Sequence, residues 1–121
     1  MALDLCVLIR TPPYGSISAA EGLRHLIGAA ANRLHVSAVL SGEGVWAAKA
    51  GQEPGGSGWT SLSETLAELL VHGEPPPLVY VSEAALARAG LTPDHLVPGV
   101  RIVPDEAIAE VVSQARHVTI F

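Results

Sequence analysis

Five short apolar segments recur along the chain, each separated from the next by more residues than a hairpin uses, and the intervening stretches carry helical spacing. This alternation constrains the fold more than any other feature. Leu3 to Ile9 is a near-continuous apolar run broken only by Asp4, as in strands covered on both faces. Leu34–Leu40, Leu78–Val81, Val100–Val103 and His117–Phe121 read as the other strands. Strands joined by such crossovers lie parallel and wind right-handed. The expected fold class is therefore α/β: a three-layer sandwich around a five-stranded parallel sheet.

Local signals place the rest. Thr11-Pro12-Pro13-Tyr14-Gly15 stops the first strand, because proline cannot continue a ladder. Ser16 or Ser18 opens a helix, with Ser18-x-x-Glu21 at capping-box spacing, and Leu23, Leu26, Ile27 and Ala30 share one face up to Asn32. Ser41-Gly42-Glu43-Gly44 is a turn, Val45–Ala50 a short helix, and Gly51–Gly58 a glycine-rich loop flanked by Trp46 and Trp59. A helix from Ser61 or Ser63 reaches His72, where Gly73 supplies a left-handed cap, and Glu74 with three prolines approaches the next strand. Ser82-Glu83 opens a helix that Gly90 ends, and Pro104-Asp105-Glu106 starts another that reaches Gln114. No repeat or linker divides the chain, so residues 1–121 form one domain, large enough to bury about two-thirds of its unfolded surface.

Charge excludes several partners. The net charge is −5 and the seven basic residues are scattered, so nucleic acid and anionic lipid lack a basic footprint to bind. No apolar stretch approaches the ~20 residues of a membrane span. One cysteine and no secretion signal point to the cytoplasm. His25, His35, His72, His95 and His117 show no zinc-ligand spacing, so no metal or other cofactor is expected.

Ligands of parallel sheets sit beyond the carboxyl ends of the strands, which selects Thr11–Ser16, Ser41–Gly44 and the turn at Ser82. Tyr14, Gly15, Glu43 and Gly44 are the candidate ligand or interface residues of the first two loops, although Pro12 and Pro13 remove amide donors that a phosphate would need. Cys6 lies inside an apolar strand, where burial raises a thiol pKa and suppresses the thiolate. Trp46 and Trp59 are core anchors or part of a partner surface. With 49% apolar residues and 16% charged, so small a chain is expected to expose an apolar patch that marks a protein contact.

Specific strings then carry a resemblance over essentially the whole chain. Arg10-Thr11-Pro12-Pro13-Tyr14-Gly15, Glu21-Gly22-Leu23, Glu43-Gly44-Val45-Trp46, Val81 through Leu91, and the ending His117-Val118-Thr119-Ile120-Phe121 together resemble the DsrE/DsrF-like family, on its DsrF/TusC branch. The resemblance implies a three-layer, flavodoxin-like sandwich around a five-stranded, mostly parallel sheet, and a subunit of a sulfur-relay system that transfers persulfide, assembled as a homo-oligomer (trimer or hexamer) or as a hetero-oligomer with DsrE/DsrH-like proteins. Thiol-bearing members of such a family place a cysteine at the position matching Ser82, in a pattern like C-x-x-A-x-x-R-G. This chain departs there, and Ala89 stands where arginine often precedes the glycine matching Gly90. A cysteine at a helix start has its thiolate stabilised by free amides. A serine with no adjacent base is an N-cap. The expectation is therefore a non-catalytic, accessory subunit. The alternatives are a sulfur carrier that uses Cys6 and a flavodoxin-like module for a small ligand.

Overall fold

A computed structural model describes residues 3–52 and 61–121. The sheet contains β1 (Leu3–Ile9), β2 (Val36–Leu40), β3 (Leu78–Ser82), β4 (Arg101–Val103) and β5 (Ala115–Ile120), in the order β4-β3-β2-β1-β5. Every pairing is parallel, with Cys6 opposite Ser37 on one side and Val118 on the other. The α/β sandwich with five parallel strands is thus as the sequence implies, while the strand order differs from the 2-1-3-4-5 of flavodoxin itself.

That order dictates where the helices lie. From β1 to β4 the sheet grows one strand at a time in one direction, so right-handed crossovers put α1 (Ser18–Ala31), α2 (Leu62–His72) and α3 (Glu83–Arg88) on one face. The last crossover runs back from one edge to the other, and α4 (Asp105–Gln114) crosses the opposite face, touching β1, β3 and β5. Val7, Ile9, Ala38, Leu40, Val79 and Val81 face the three-helix side and form one core with Leu23, Leu26, Leu62, Leu66 and Leu86. Each large side chain sealed there contributes about 1.5–3 kcal/mol of burial. Gly22 lets α1 lie close on the sheet, because a Cβ there would meet the Ile9 side chain at 2.9 Å. The other face is thinner. Cys6, Ser37 and Val39 are buried on it, yet no residue of α4 is itself buried. One helix about 10 Å wide cannot cover five strands spaced about 4.8 Å apart.

Four local expectations are corrected. The strand β2 begins at Val36 and not Leu34, because Arg33 takes φ 59° and the Leu34 N–H turns back to the Ala29 carbonyl. The segment expected as a helix over Val45–Ala50 is a 3-10 helix over Gly42–Ala48. Ser18 does not cap α1, whose cap position is Ile17 with no side-chain bond; the Ser18 N–H reaches Ser16 Oγ only at 3.4 Å. Gly73 is not left-handed, at φ −62°. It is required for space, since a Cβ would come within 2.7 Å of the Leu69 carbonyl oxygen and 3.1 Å of Pro76 Cα. By contrast Ser61 caps α2 by accepting from the Glu64 N–H, and Gly90 does adopt φ +74° after α3. Most of the glycine-rich loop, and Trp59, lie outside the described residues.

Candidate functional site

Ser82 ends β3 and caps α3, as its place in the sequence implies. Its Oγ accepts the Ala85 N–H at 3.1 Å and donates to Asp105 Oδ1 at 2.7 Å. Only 2% of the residue is exposed. The expectation that no base adjoins this hydroxyl is therefore corrected: a carboxylate from the first turn of α4 accepts its hydrogen bond. The register explains the meeting. β3 and β4 are neighbours with Ser82 opposite Val103, so the helix that starts just after β4 begins beside the helix that starts just after β3. Sequence reasoning missed Asp105 as a partner, although it read Pro104-Asp105-Glu106 as a helix start. The signal lay in the adjacency of the two strand ends, which needs the sheet order. Chemically, a hydroxyl fixed in this way ties two helix starts together. A carboxylate is a weak base for a serine alcohol, and no imidazole bonds to this one among the described residues.

Cys6 sits in the middle of β1 with no exposed surface. Burial pushes its thiol from an ordinary 9.0 up to about 11. At neutral pH the thiolate fraction is then on the order of one in ten thousand, from the pKa arithmetic alone.

The first two strand-end loops meet in a cleft of about 390 Å³ lined by Pro12, Pro13, Tyr14, Glu43, Trp46, Lys49 and Gln52. Tyr14 Oη donates to Gln52 Oε1 at 2.7 Å, and Gln52 Nε2 donates to the Trp46 carbonyl at 2.7 Å, so the amide ties the aromatic pair together. Of the four residues singled out in these loops, Tyr14 and Glu43 share the cleft. Gly15 and Gly44 are backbone elements outside its lining: Gly15 turns the chain at φ 98°, and a Cβ on Gly44 would overlap the Ile9 carbonyl. Gln52 and Lys49 were not legible as site residues, because a loop position carries no periodicity. A larger cleft of about 560 Å³ lies between the carboxyl ends of α1 and α2, beside Ile27, Leu69 and His72. Among the described residues no three His, Cys, Asp or Glu side chains cluster as a metal site would need, and no helix is long and apolar enough to cross a membrane.

Comparison with known proteins agrees with this architecture. The chain is 31% identical over 114 residues to the Protein TusC homolog of Vibrio parahaemolyticus, covering 93% of each sequence. Its fold matches the crystal structure of the YchN protein from E. coli with a TM-score of 0.85, at 23% identity and over 98% of each chain. The model of the DsrE/DsrF-like family matches residues 4–120, nearly the whole sequence, and the chain belongs to that family.

Proposed function

We propose that this chain is a TusC-like subunit of a sulfur-relay assembly, acting by contact with a thiol-bearing partner and carrying no persulfide itself. The observation that carries the reading is the pair of positions a sulfur could use. At the start of α3, where thiol-bearing relatives are expected to hold a cysteine, Ser82 is engaged by Asp105 and by the Ala85 N–H. The one thiol of the chain, on Cys6, is sealed inside the fold. Family membership and the resemblance to the TusC homolog support the relay setting. On this reading the protein works in the cytoplasm as a homo-oligomer, trimer or hexamer, or as a hetero-oligomer with DsrE/DsrH-like chains, and is not an enzyme on its own. Two measurements test it. Affinity capture from an extract of the source cells is expected to retain a DsrE- or DsrH-like protein. Persulfide trapping with mass spectrometry, after incubation with a sulfur donor, is expected to leave Cys6 unmodified. A Cys6 persulfide would replace this reading with that of a carrier.

A second reading, a small-ligand module, is favoured by the Tyr14–Trp46 cleft, whose volume and mixture of aromatic wall with Glu43 and Lys49 fall within the range of ligand sites. Pro12 and Pro13 argue against a phosphate ligand there, because neither offers an N–H. A thermal shift on adding flavin or nucleotides would support this reading over the first.

A further inference from the structure

The edge strand β5 leaves one side of its backbone ladder open. Its partner on the other side is β1, and the Phe121 N–H donates to the Leu8 carbonyl while the Phe121 carbonyl accepts from the Arg10 N–H. Both backbone groups of Phe121 thus face inward. Strand alternation then turns the N–H and C=O of Arg116, Val118 and Ile120 outward, where no strand among the described residues receives them. The same three residues carry their side chains on the thin face, since Val118 and Ile120 pair with Cys6 and Leu8, away from the core that holds Val7 and Ile9. Val118 is 38% exposed and Ile120 59%. The opposite edge is blunted: β4 has three residues and presents an exposed Arg101. By contrast β5 has six residues and no proline, and its one outward charge is Arg116.

A row of free ladder groups selects another strand as its occupant, and the residue order selects which strand. Laid against itself antiparallel about Val118, the segment sets Val118 opposite Val118, and Arg116 opposite Ile120, so no like charges face each other. A parallel mate would stack Arg116 on Arg116. Each facing pair in the antiparallel arrangement falls in a hydrogen-bonded position and closes two ladder bonds with outward groups. We propose that β5 is a self-pairing edge: a second copy of this chain adds its own β5 antiparallel about a two-fold axis at Val118, making one continuous sheet across the two copies. The symmetric contact packs Val118 against Val118 across the axis and lays each Ile120 along the aliphatic stem of the other copy's Arg116.

Sedimentation of the purified protein, with charge substitutions at the axis, tests this. The wild-type mass is expected to be an even multiple of 12.5 kDa. Val118→Glu and Val118→Lys each set like charges face to face and are expected to weaken the contact tenfold or more. An equimolar mixture of the two is expected to restore it, because unlike charges then meet. Val118→Pro takes away an outward N–H that the pairing with β1 does not use, and is expected to dissociate the pair while circular dichroism stays that of the folded chain. A wild type that stays a single chain, that runs as a trimer, or that gains mass only with a different protein overturns the proposal. So does an oligomer indifferent to both charged variants, or a mixture that stays apart. The outcome is separable from the sulfur-relay reading: a β5-linked pair that captures no thiol-bearing partner sinks that reading alone, and a single chain that captures one sinks this.

Discussion

Ser82 Oγ lies 2.7 Å from Asp105 Oδ1, and through that bond the start of α3 is fastened to the first turn of α4 on the far side of the sheet. Two helices that share no face are joined at their amino ends by one hydroxyl, which also accepts the Ala85 N–H. Removing it should therefore cost both an N-cap and a charge-assisted bond. Ser82→Ala is expected to lower stability by about 2–3 kcal/mol, summed from typical values for the two losses. Urea denaturation measures this, with Asp105→Asn, which keeps an acceptor oxygen, losing less. Equal stability of Ser82→Ala and wild type would show that the bond is not formed in solution.

A thiol introduced at the same place is expected to stay quiet. In Ser82→Cys the sulfur would be almost wholly buried and would sit beside the Asp105 carboxylate, which opposes a second negative charge. Alkylation by iodoacetamide at neutral pH should leave the introduced thiol unlabelled on the timescale that labels a free thiol in unfolded protein. Fast labelling at that position would mean the α3–α4 junction opens readily.

The Cys6 thiol gives a pH signature. Its pKa in the fold is raised, to about 11 from 9.0, so the native state holds the proton more tightly than the unfolded chain. The stability this contributes is complete below pH 9 and declines as pH rises through 11, by up to about 2–3 kcal/mol. Denaturation midpoints followed between about pH 8 and 11, the window that this shift spans, should fall more steeply for the wild type than for Cys6→Ala, whose absolute stability is lower but which lacks the titrating group. Parallel curves would remove the raised pKa as an explanation.

Two glycines should respond oppositely to the same methyl group. Gly44→Ala drives a Cβ into the Ile9 carbonyl at the end of β1, and is expected to cost several kcal/mol, on the order of a core disruption. Gly28 is exposed within α1 and has open space around its would-be Cβ. Gly28→Ala should therefore raise stability by about 0.5–1 kcal/mol through helix propensity. Thermal melts of the two variants give the comparison.

The parts of the fold that read directly from the sequence were those with a local cause. Apolar runs such as Leu3–Ile9 and the hydroxyl caps at Ser61 and Ser82 announce themselves through neighbours a few residues away. What escaped depends on distant backbone. Gly73 is glycine because Pro76 and the Leu69 carbonyl crowd it, not because of its dihedral angles, and no local pattern distinguishes the two. Leu34 looks like a strand residue by composition, and only the left-handed turn at Arg33 keeps it out of β2. The site divided in the same way. Ser82 and Tyr14 were found from their loops, whereas Asp105 and Gln52 became partners only once strand order and the return of the chain after Trp46 were known.

The pairing of β1 with β5 also sets an order of events for the newborn chain. Leu3 and Ala115 are register partners, so the central strand waits for a segment made far later in synthesis before both its sides are filled. Closing so long a loop adds only a modest entropy, about 0.6 kcal/mol per doubling of length, but it cannot begin early. A chain cut at Gln114 leaves one flank of β1 bare, an open strand edge beside the core. Truncations just short of β5 should accordingly accumulate as aggregates and not as a smaller folded protein.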